Sequence, residues 1–143
     1  MASFLTKSDF TADGVQFAEW ATGVDNDNLS IVSLGLTQER VLSAVFFSSE
    51  KNREVRFTFF DARAFRVVDE GGLLELWAAS KETPRPAEST FRVRGHAWQA
   101  ESPLAWIHGS DQSGFSYIVA TDWDCLEVIV QDPPTVEMLD DVN

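Results

Sequence analysis

The chain has 143 residues, a size typical of one domain, and its 44% hydrophobic and 24% charged residues exclude a largely disordered protein. A net charge of -12 opposes nucleic-acid binding through a broad basic face and docking on anionic lipid. The single cysteine, Cys125, excludes an internal disulfide and a thiolate zinc site. Because no apolar run is long enough for a membrane span or a signal peptide, we expect a cytoplasmic protein.

The negative charge is concentrated in the C-terminal third of the chain. Before Gly95 there are 14 acidic and 11 basic residues, whereas from Gly95 onward there are nine acidic residues and neither lysine nor arginine. A charge of one sign keeps a small protein soluble, and it also creates a field that attracts a basic partner. Charge alone therefore leaves both interpretations open, with solubility the simpler one.

Alternation of apolar and polar residues predicts a mainly β (α+β) fold: an antiparallel curved sheet or a partly open barrel of about seven to eight strands. Segment 15–21 is ambiguous between helix and strand. One or two short helices are expected at 73–79 and at 103–106, the latter with Pro103 at its first position. The predicted strands, in chain order, are 28–36, 40–47, 55–59, 63–68, 90–98, 115–121 and 125–131.

Residues 1–143 are predicted to form a single domain with two less regular segments. Two prolines in segment 80–89 prevent a ladder strand, so we expect a mobile surface loop there. An acidic C-terminal tail, 133–143, follows Pro133 and Pro134. This tail is expected to fray unless the apolar residues Val136, Met138 and Leu139 dock on the core.

Histidine chemistry has few candidates, since His96 and His108 are the only histidines. A metal site would need both histidines together with an acid such as Asp111, and eleven residues of mixed structure separate them. A nucleophile, base and orienter drawn from His108, Ser110 and Asp111 is also disfavoured, because sequence neighbours rarely converge in that way. The sequence therefore predicts no metal, no cofactor and no catalytic site.

Cys125 and the acidic pair Asp122 and Asp124 are further candidates for chemistry. Acidic neighbours suppress the thiolate form of a cysteine, so Cys125 is interpreted as a buried, unreactive core residue. Two acids in one tight turn do not face each other across a groove, as the carboxylates of a glycosidase must. Neither pattern indicates catalysis.

Trp123 is the one tryptophan for which the sequence predicts a position that is hard to bury. It lies between Asp122 and Asp124 in the short connection between the last two predicted strands. An exposed tryptophan beside charged residues is typical of interface hot spots. We therefore predict a partner-binding surface at Asp122, Trp123 and Asp124, extended by acids such as Asp111.

Two stretches, 65–77 (FRVVDEGGLLELW) and 116–130 (SYIVATDWDCLEVIV) with the following Pro133-Pro134, resemble a group of small acidic bacterial proteins of unknown function. Some proteins of this size and charge are similar to immunity proteins that neutralise polymorphic or contact-delivered toxins. The resemblance covers about a third of the chain and includes no catalytic motif. It implies a non-enzymatic protein whose partner is a cognate toxin. Charge gives a separate argument, because a toxin that degrades nucleic acid is often basic at its substrate groove, where an acidic partner can imitate phosphate.

Three hypotheses follow from the sequence. The first is a protein-binding module of the immunity type. The second is a small-molecule-binding β-barrel-like protein with an aromatic-lined cavity, because about eight strands can enclose one ligand. The third is an enzyme whose site uses His96 or His108, which requires the histidines to converge with an acid in a cleft.

Overall fold

The computed structural model describes residues 14–69, Leu73, Leu76 and residues 89–139, and these form nine strands and two short helices. The helices are α1 (Ala97–Glu101) and α2 (Pro103–Gly109). The strands are β1 (Gln16–Glu19), β2 (Leu29–Leu36), β3 (Leu42–Ser48), β4 (Arg53–Phe59), β5 (Ala64–Asp69), β6 (Thr90–Arg94), β7 (Ser116–Val119), β8 (Asp124–Ile129) and β9 (Thr135–Met138).

The strands form two antiparallel sheets, which confirms the predicted mainly β fold. One sheet has the order β1-β6-β7-β8-β5 and the other has the order β2-β3-β4-β9. Neither described sheet closes into a barrel, because each has two edge strands. No helix among the described residues is long and apolar enough to cross a bilayer.

The main core lies between the two sheets and is densely aromatic. Phe46 and Phe57 of the four-stranded sheet pack edge to face, with 5.6 Å between their ring centroids. Trp20 contacts both Phe57, at 5.5 Å, and Tyr117 of the five-stranded sheet, at 4.9 Å. Alternation along β3 and β4 supplies this layer, since inward side chains such as Ala44 and Val55 are completely buried. These edge-to-face ring contacts join the two sheets across the main core.

The opposite face of the five-stranded sheet carries a second core. Because side chains alternate along a strand, Tyr117 and Val128 face the main core, whereas Ile118 and Glu127 face the other side. Apolar side chains cover part of this outer face, including Val15, Phe91, Val93, Ile118, Cys125, Leu73 and Leu76. Helix α2 lies over another part, and its Gly109 closely approaches Arg63 and Ile129.

The predicted strand 90–98 is wrong beyond Arg94. β6 ends there, and Gly95 adopts a φ of +79°, in the left-handed region that glycine occupies without strain. The turn at Gly95 leads into His96 and α1. Alternation along the predicted strand 90–98 places His96 on the same face as Arg92, and this prediction is wrong because the strand ends before His96. Arg92 lies over Tyr117, whereas His96 contacts Glu127 on the outer face.

Gly95→Ala is expected to lower the free energy of unfolding by about 3 kcal/mol, because two costs add. The new Cβ would lie 1.8 Å from the backbone oxygen of Gly14, and the residue would keep an unfavourable φ. Gly23→Ala is the matched control, since Gly23 has a φ of +84° but no atom within 4 Å of a new Cβ. Gly23→Ala should lower the free energy of unfolding by about 1 kcal/mol. Urea unfolding measures both, and equal losses would contradict the close approach.

The structure also bears on the predictions for segment 15–21, for the helix at Pro103 and for the C-terminal tail. Segment 15–21 contains a strand, β1, and helix α2 begins at Pro103 as expected. Within the C-terminal tail, β9 pairs with β4, and its Val136 and Met138 pack on the main core. Docking is therefore observed up to Met138. The predicted helix 73–79 and loop 80–89 lie outside the described residues, except for Leu73, Leu76 and Ser89.

Candidate functional site

The connection between β7 and β8 presents an exposed indole between two exposed carboxylates. Trp123 is 78% exposed, the largest exposed fraction among the described large apolar residues, and Asp122 and Asp124 are also exposed. Asp69 of β5 lies directly opposite Asp124 in the strand register. We call the side chains of Asp69, Asp122, Trp123 and Asp124 the acidic tip. The exposed indole therefore lies between two exposed carboxylates in the sequence, and a third acidic residue is paired with Asp124 across the sheet.

Thr121 fixes the backbone of the acidic tip. Its Oγ1 donates to the carbonyl of Asp124 at 2.7 Å and accepts from the backbone N–H of Trp123 at 3.0 Å. Threonine and serine stabilise tight turns in this way. Because β8 is hydrogen-bonded on both sides, by β7 and β5, the turn projects from an inner strand of the sheet. The indole is therefore presented on an ordered support.

Asp111 lies away from the acidic tip, although the sequence predicted that it extends the same surface. It precedes β7, whereas the tip follows β7, so the two lie at opposite ends of that strand. Asp111 accepts from the Arg92 guanidinium at 2.8 Å and from the backbone N–H of Ser113 at 2.9 Å. The Ser113 hydroxyl also donates to Asp111. Burial opposes ionisation, but the bonds from Ser113 and Arg92 and the charge of Arg92 hold the pKa of Asp111 below its ordinary value. The carboxylate thus organises the loop before β7.

The histidines do not form a site with each other. His96 is buried and bonded to Glu127, whereas His108 is exposed on α2. Ser110 donates to the carbonyl of Trp106 at 2.6 Å and Asp111 is bonded to Arg92 and Ser113, so the partners of Ser110 and Asp111 are groups other than the His108 imidazole. Within residues 14–69 and 89–139, no group of three or more histidine, cysteine or acidic side chains is arranged to hold a metal ion.

Cys125 is buried, with 1% of its surface exposed, as the sequence predicted. Its Sγ lies 3.6 Å from the carbonyl of Thr121, at the base of the acidic tip. A thiol reagent should therefore react slowly with native protein and rapidly after denaturation. Cys125→Ala should cost about 1–2 kcal/mol of stability, as small core truncations do. Rapid labelling of the native protein, followed by mass spectrometry, would contradict this assignment.

A buried polar network is centred on Glu127 in the middle of β8. Its Oε1 accepts from Arg66 Nε at 2.9 Å and from Arg66 Nη2 at 2.7 Å. Its Oε2 accepts from His96 Nε2 and from the Ser116 hydroxyl, each at 2.6 Å. Ser116 and His96 thus both donate to one carboxylate oxygen. This is an anchoring arrangement, because a nucleophilic serine would donate to the histidine instead.

The surroundings of Glu127 determine how its charge contributes to stability. Burial is the largest effect and opposes ionisation, but the bonds from His96 and Ser116 and the charges of His96 and Arg66 hold its pKa below the ordinary value of 4.5. A carboxyl whose pKa is lowered by folding stabilises the folded state above its unfolded-state pKa. That contribution is lost as the pH falls through the folded-state pKa. The network therefore weakens in acid.

This network was not predicted from the sequence. One signal was available, because Glu127 is the only charged residue in an otherwise apolar run from Cys125 to Val130. A charge at such a position indicates a buried ion pair. Its partners were not predictable, since Arg66 and His96 are 61 and 31 residues away. His96 reaches Glu127 because of the turn at Gly95.

The chain matches no known protein family, curated protein or solved structure in comparisons of sequence and fold.

Proposed function

We propose that this chain is a non-enzymatic protein-binding module and that the acidic tip is its binding surface. The observation that supports this most directly is the 78% exposure of Trp123 between two exposed carboxylates. Burying an indole at an interface removes a large apolar surface from water. Tryptophan is accordingly among the residues most enriched in binding hot spots.

The backbone of the acidic tip is already ordered in the unbound chain, and this favours binding. A partner that binds a flexible loop loses affinity to the entropy of ordering it. The two hydrogen bonds of Thr121 and the flanking strands already hold the backbone of the tip. The remaining cost is mainly the fixing of the Trp123 side chain, which has two rotatable bonds.

The charge of the tip favours a basic partner. Asp122 and Asp124 are exposed on either side of Trp123, whereas Arg66 and Arg92 are engaged elsewhere with Glu127 and Asp111. Opposite charges across an interface accelerate association and disfavour wrong partners. We infer an apolar pocket for the indole, bordered by lysine or arginine side chains, as the complementary surface.

The class of partner that we propose is a cognate bacterial toxin, which the chain neutralises by binding in the cytoplasm. The resemblance to immunity proteins supports this class, and so does the acidity of the C-terminal third. A toxin that degrades nucleic acid presents a basic groove, and carboxylates compete there with phosphate.

An affinity capture experiment tests the proposal. Wild-type chain and the Trp123→Ala variant are immobilised separately and exposed to lysate of the source cells at low salt, and retained proteins are identified by mass spectrometry. The expected result is a basic protein retained by wild type, depleted on the variant and released by salt. Retention that is equal on both would place the binding surface elsewhere.

A further inference from the structure

The segment formed by α1 and α2, which we call the helical arm, has little apolar anchorage of its own. The two helices have five and seven residues, whereas isolated helices shorter than about 12–15 residues are marginal in water. No residue of α1 is buried, and α2 buries Trp106 and Gly109. Leu104 and Ile107 are 68% and 69% exposed. Among the residues of the arm, the buried apolar anchorage is therefore limited to Trp106 and Gly109 of α2.

Several described contacts of the arm lead to Glu127, in addition to the close approach of Gly109 to Arg63 and Ile129 and the bond from Gln131 to the His108 carbonyl. His96, which immediately precedes α1, donates to the Glu127 carboxylate. Trp98 of α1 lies under the guanidinium of Arg66, at 4.7 Å, and Arg66 is itself bound to Glu127. Trp106 of α2 packs on His96 at 5.5 Å and on Trp98 at 5.0 Å.

We propose that the Glu127 carboxylate clamps the helical arm to the five-stranded sheet, and that protonation of Glu127 releases the arm while the core between the two sheets stays folded. Protonation leaves the guanidinium of Arg66 without its counter-charge and weakens the acceptor for His96. Glu127 and its partners Arg66, His96 and Ser116 do not belong to the apolar core between the sheets. Local opening of a weakly anchored segment below the global unfolding transition is a general property of folded proteins.

Other ionisable groups near the arm must be distinguished from Glu127. Among the described residues, the charged groups that face Glu127 are Arg66 from β5 and His96 before α1, and the uncharged Ser116 faces it from β7. On the arm itself, Glu101 and His108 are exposed. Asp111, just after the arm, also has a lowered pKa and is bonded to Arg92 and Ser113. Asp111 is therefore the main competing acid.

The indole N–H of Trp106 reports on the arm, because it donates to the carbonyl of Gly114 at 2.8 Å. Its resonance in a ¹H–¹⁵N spectrum is assigned with Trp106→Phe, and its exchange with water is measured as the pH is lowered below 4.5, the ordinary value for Glu127. Exchange corrected for its intrinsic pH dependence should rise about tenfold or more, as expected for local opening. The backbone amides of Val55 and Phe57 in the core should stay protected.

Three variants test whether protonation of Glu127, and not of another acid, causes the helical arm to open. Glu127→Gln keeps the shape but not the charge, so Trp106 should exchange rapidly at neutral pH and respond little to acid. Asp111→Asn removes the competing acid, and Asp27→Asn removes a buried acid that bonds Ser48 and Lys51 in the other sheet. In Asp111→Asn and in Asp27→Asn, exchange of the Trp106 indole N–H should still rise in acid as it does in wild type. Loss of the response in Asp111→Asn would overturn the proposal.

The wild-type titration tests the proposal independently if Glu127→Gln does not fold. Simultaneous loss of protection at Trp106, Val55 and Phe57 would mean that the arm and the core unfold together, and it would also overturn the proposal. Opening of Trp106 at a higher pH than the core supports it.

Discussion

Trp123→Ala is expected to weaken binding of the partner by about 2 kcal/mol or more, mainly through faster dissociation. The indole is 78% exposed in the unbound chain, so its truncation removes little intramolecular packing. The free energy of unfolding should therefore change by less than about 0.5 kcal/mol, as for most surface substitutions. Stopped-flow or surface-based kinetics with the captured partner measure the first quantity, and urea unfolding measures the second.

Phe60→Ala is the matched control for loss of an exposed aromatic ring. Phe60 is 51% exposed and precedes β5, whose first residue pairs with the end of β8, so it lies at the opposite end of the sheet from the acidic tip. This variant should bind as wild type does. Equal weakening by Phe60→Ala and Trp123→Ala, or no effect of either, would contradict the assignment of the surface.

The charges of the tip should act on association instead. In the double variant Asp122→Asn, Asp124→Asn the association rate should fall and its salt dependence should weaken, as for charges at an interface rim. Salt shortens the Debye length from about 10 Å at 0.1 M to about 3 Å at 1 M, so wild-type association should slow over that range. Asp61→Asn with Asp132→Asn changes the net charge equally near the Phe60 end and is the control. Asp111→Asn should also have little effect, because Asp111 is bonded to Arg92.

The strands were predictable where alternation was strong and the neighbours were local. The hairpins β2–β3 and β3–β4 join consecutive strands, so period-two patterning and turn residues were sufficient. β7 and β8 are short apolar runs on either side of turn residues, which also predict neighbouring strands. The division into two sheets was not predictable, because it depends on pairings such as β1 with β6 and β4 with β9, which are distant in sequence. Local pattern carries no information on such pairings.

The exposed tip was predictable for the same local reason, whereas the buried network was not. A tryptophan in a three-residue connection has few neighbours that cover it, and Trp123 is indeed exposed. His96 was predicted on the wrong face because alternation was continued through Gly95, whose positive φ redirects the chain. Asp111 was predicted near the tip on charge alone, and charge does not determine the end of a strand at which a residue lies.

Glu127→Ala is expected to lower the free energy of unfolding at neutral pH by about 3 kcal/mol. Removing one partner of a buried ion pair costs about 3–5 kcal/mol, because the remaining groups keep their desolvation penalty. The lower end applies here, since the Arg66 side chain is 25% exposed and can reach water. Urea unfolding followed by circular dichroism measures the difference from wild type.

The difference in the free energy of unfolding between wild type and Glu127→Ala should depend on pH, and this dependence identifies the contribution of the Glu127 charge. The pKa of Glu127 is lowered in the folded state, so its stabilising effect is full above the ordinary value of 4.5 and is lost as the pH falls through the folded-state pKa. The wild-type and Glu127→Ala curves should therefore converge in acid. Asp27→Asn should leave the contribution of Glu127 unchanged, because Asp27 is bonded to Ser48 and Lys51 of the other sheet.

A double-mutant cycle with Arg66 distinguishes a charge network from simple loss of packing. Glu127→Leu alone leaves the Arg66 guanidinium without its carboxylate, whereas Glu127→Leu with Arg66→Leu removes both charges. Replacement of a buried ion pair by apolar residues is often close to neutral, so the double variant should be more stable than the sum of the single losses indicates. Additive losses would show that Arg66 and Glu127 stabilise the fold independently, and the anchoring role of the carboxylate would then have to rest on His96 and Ser116.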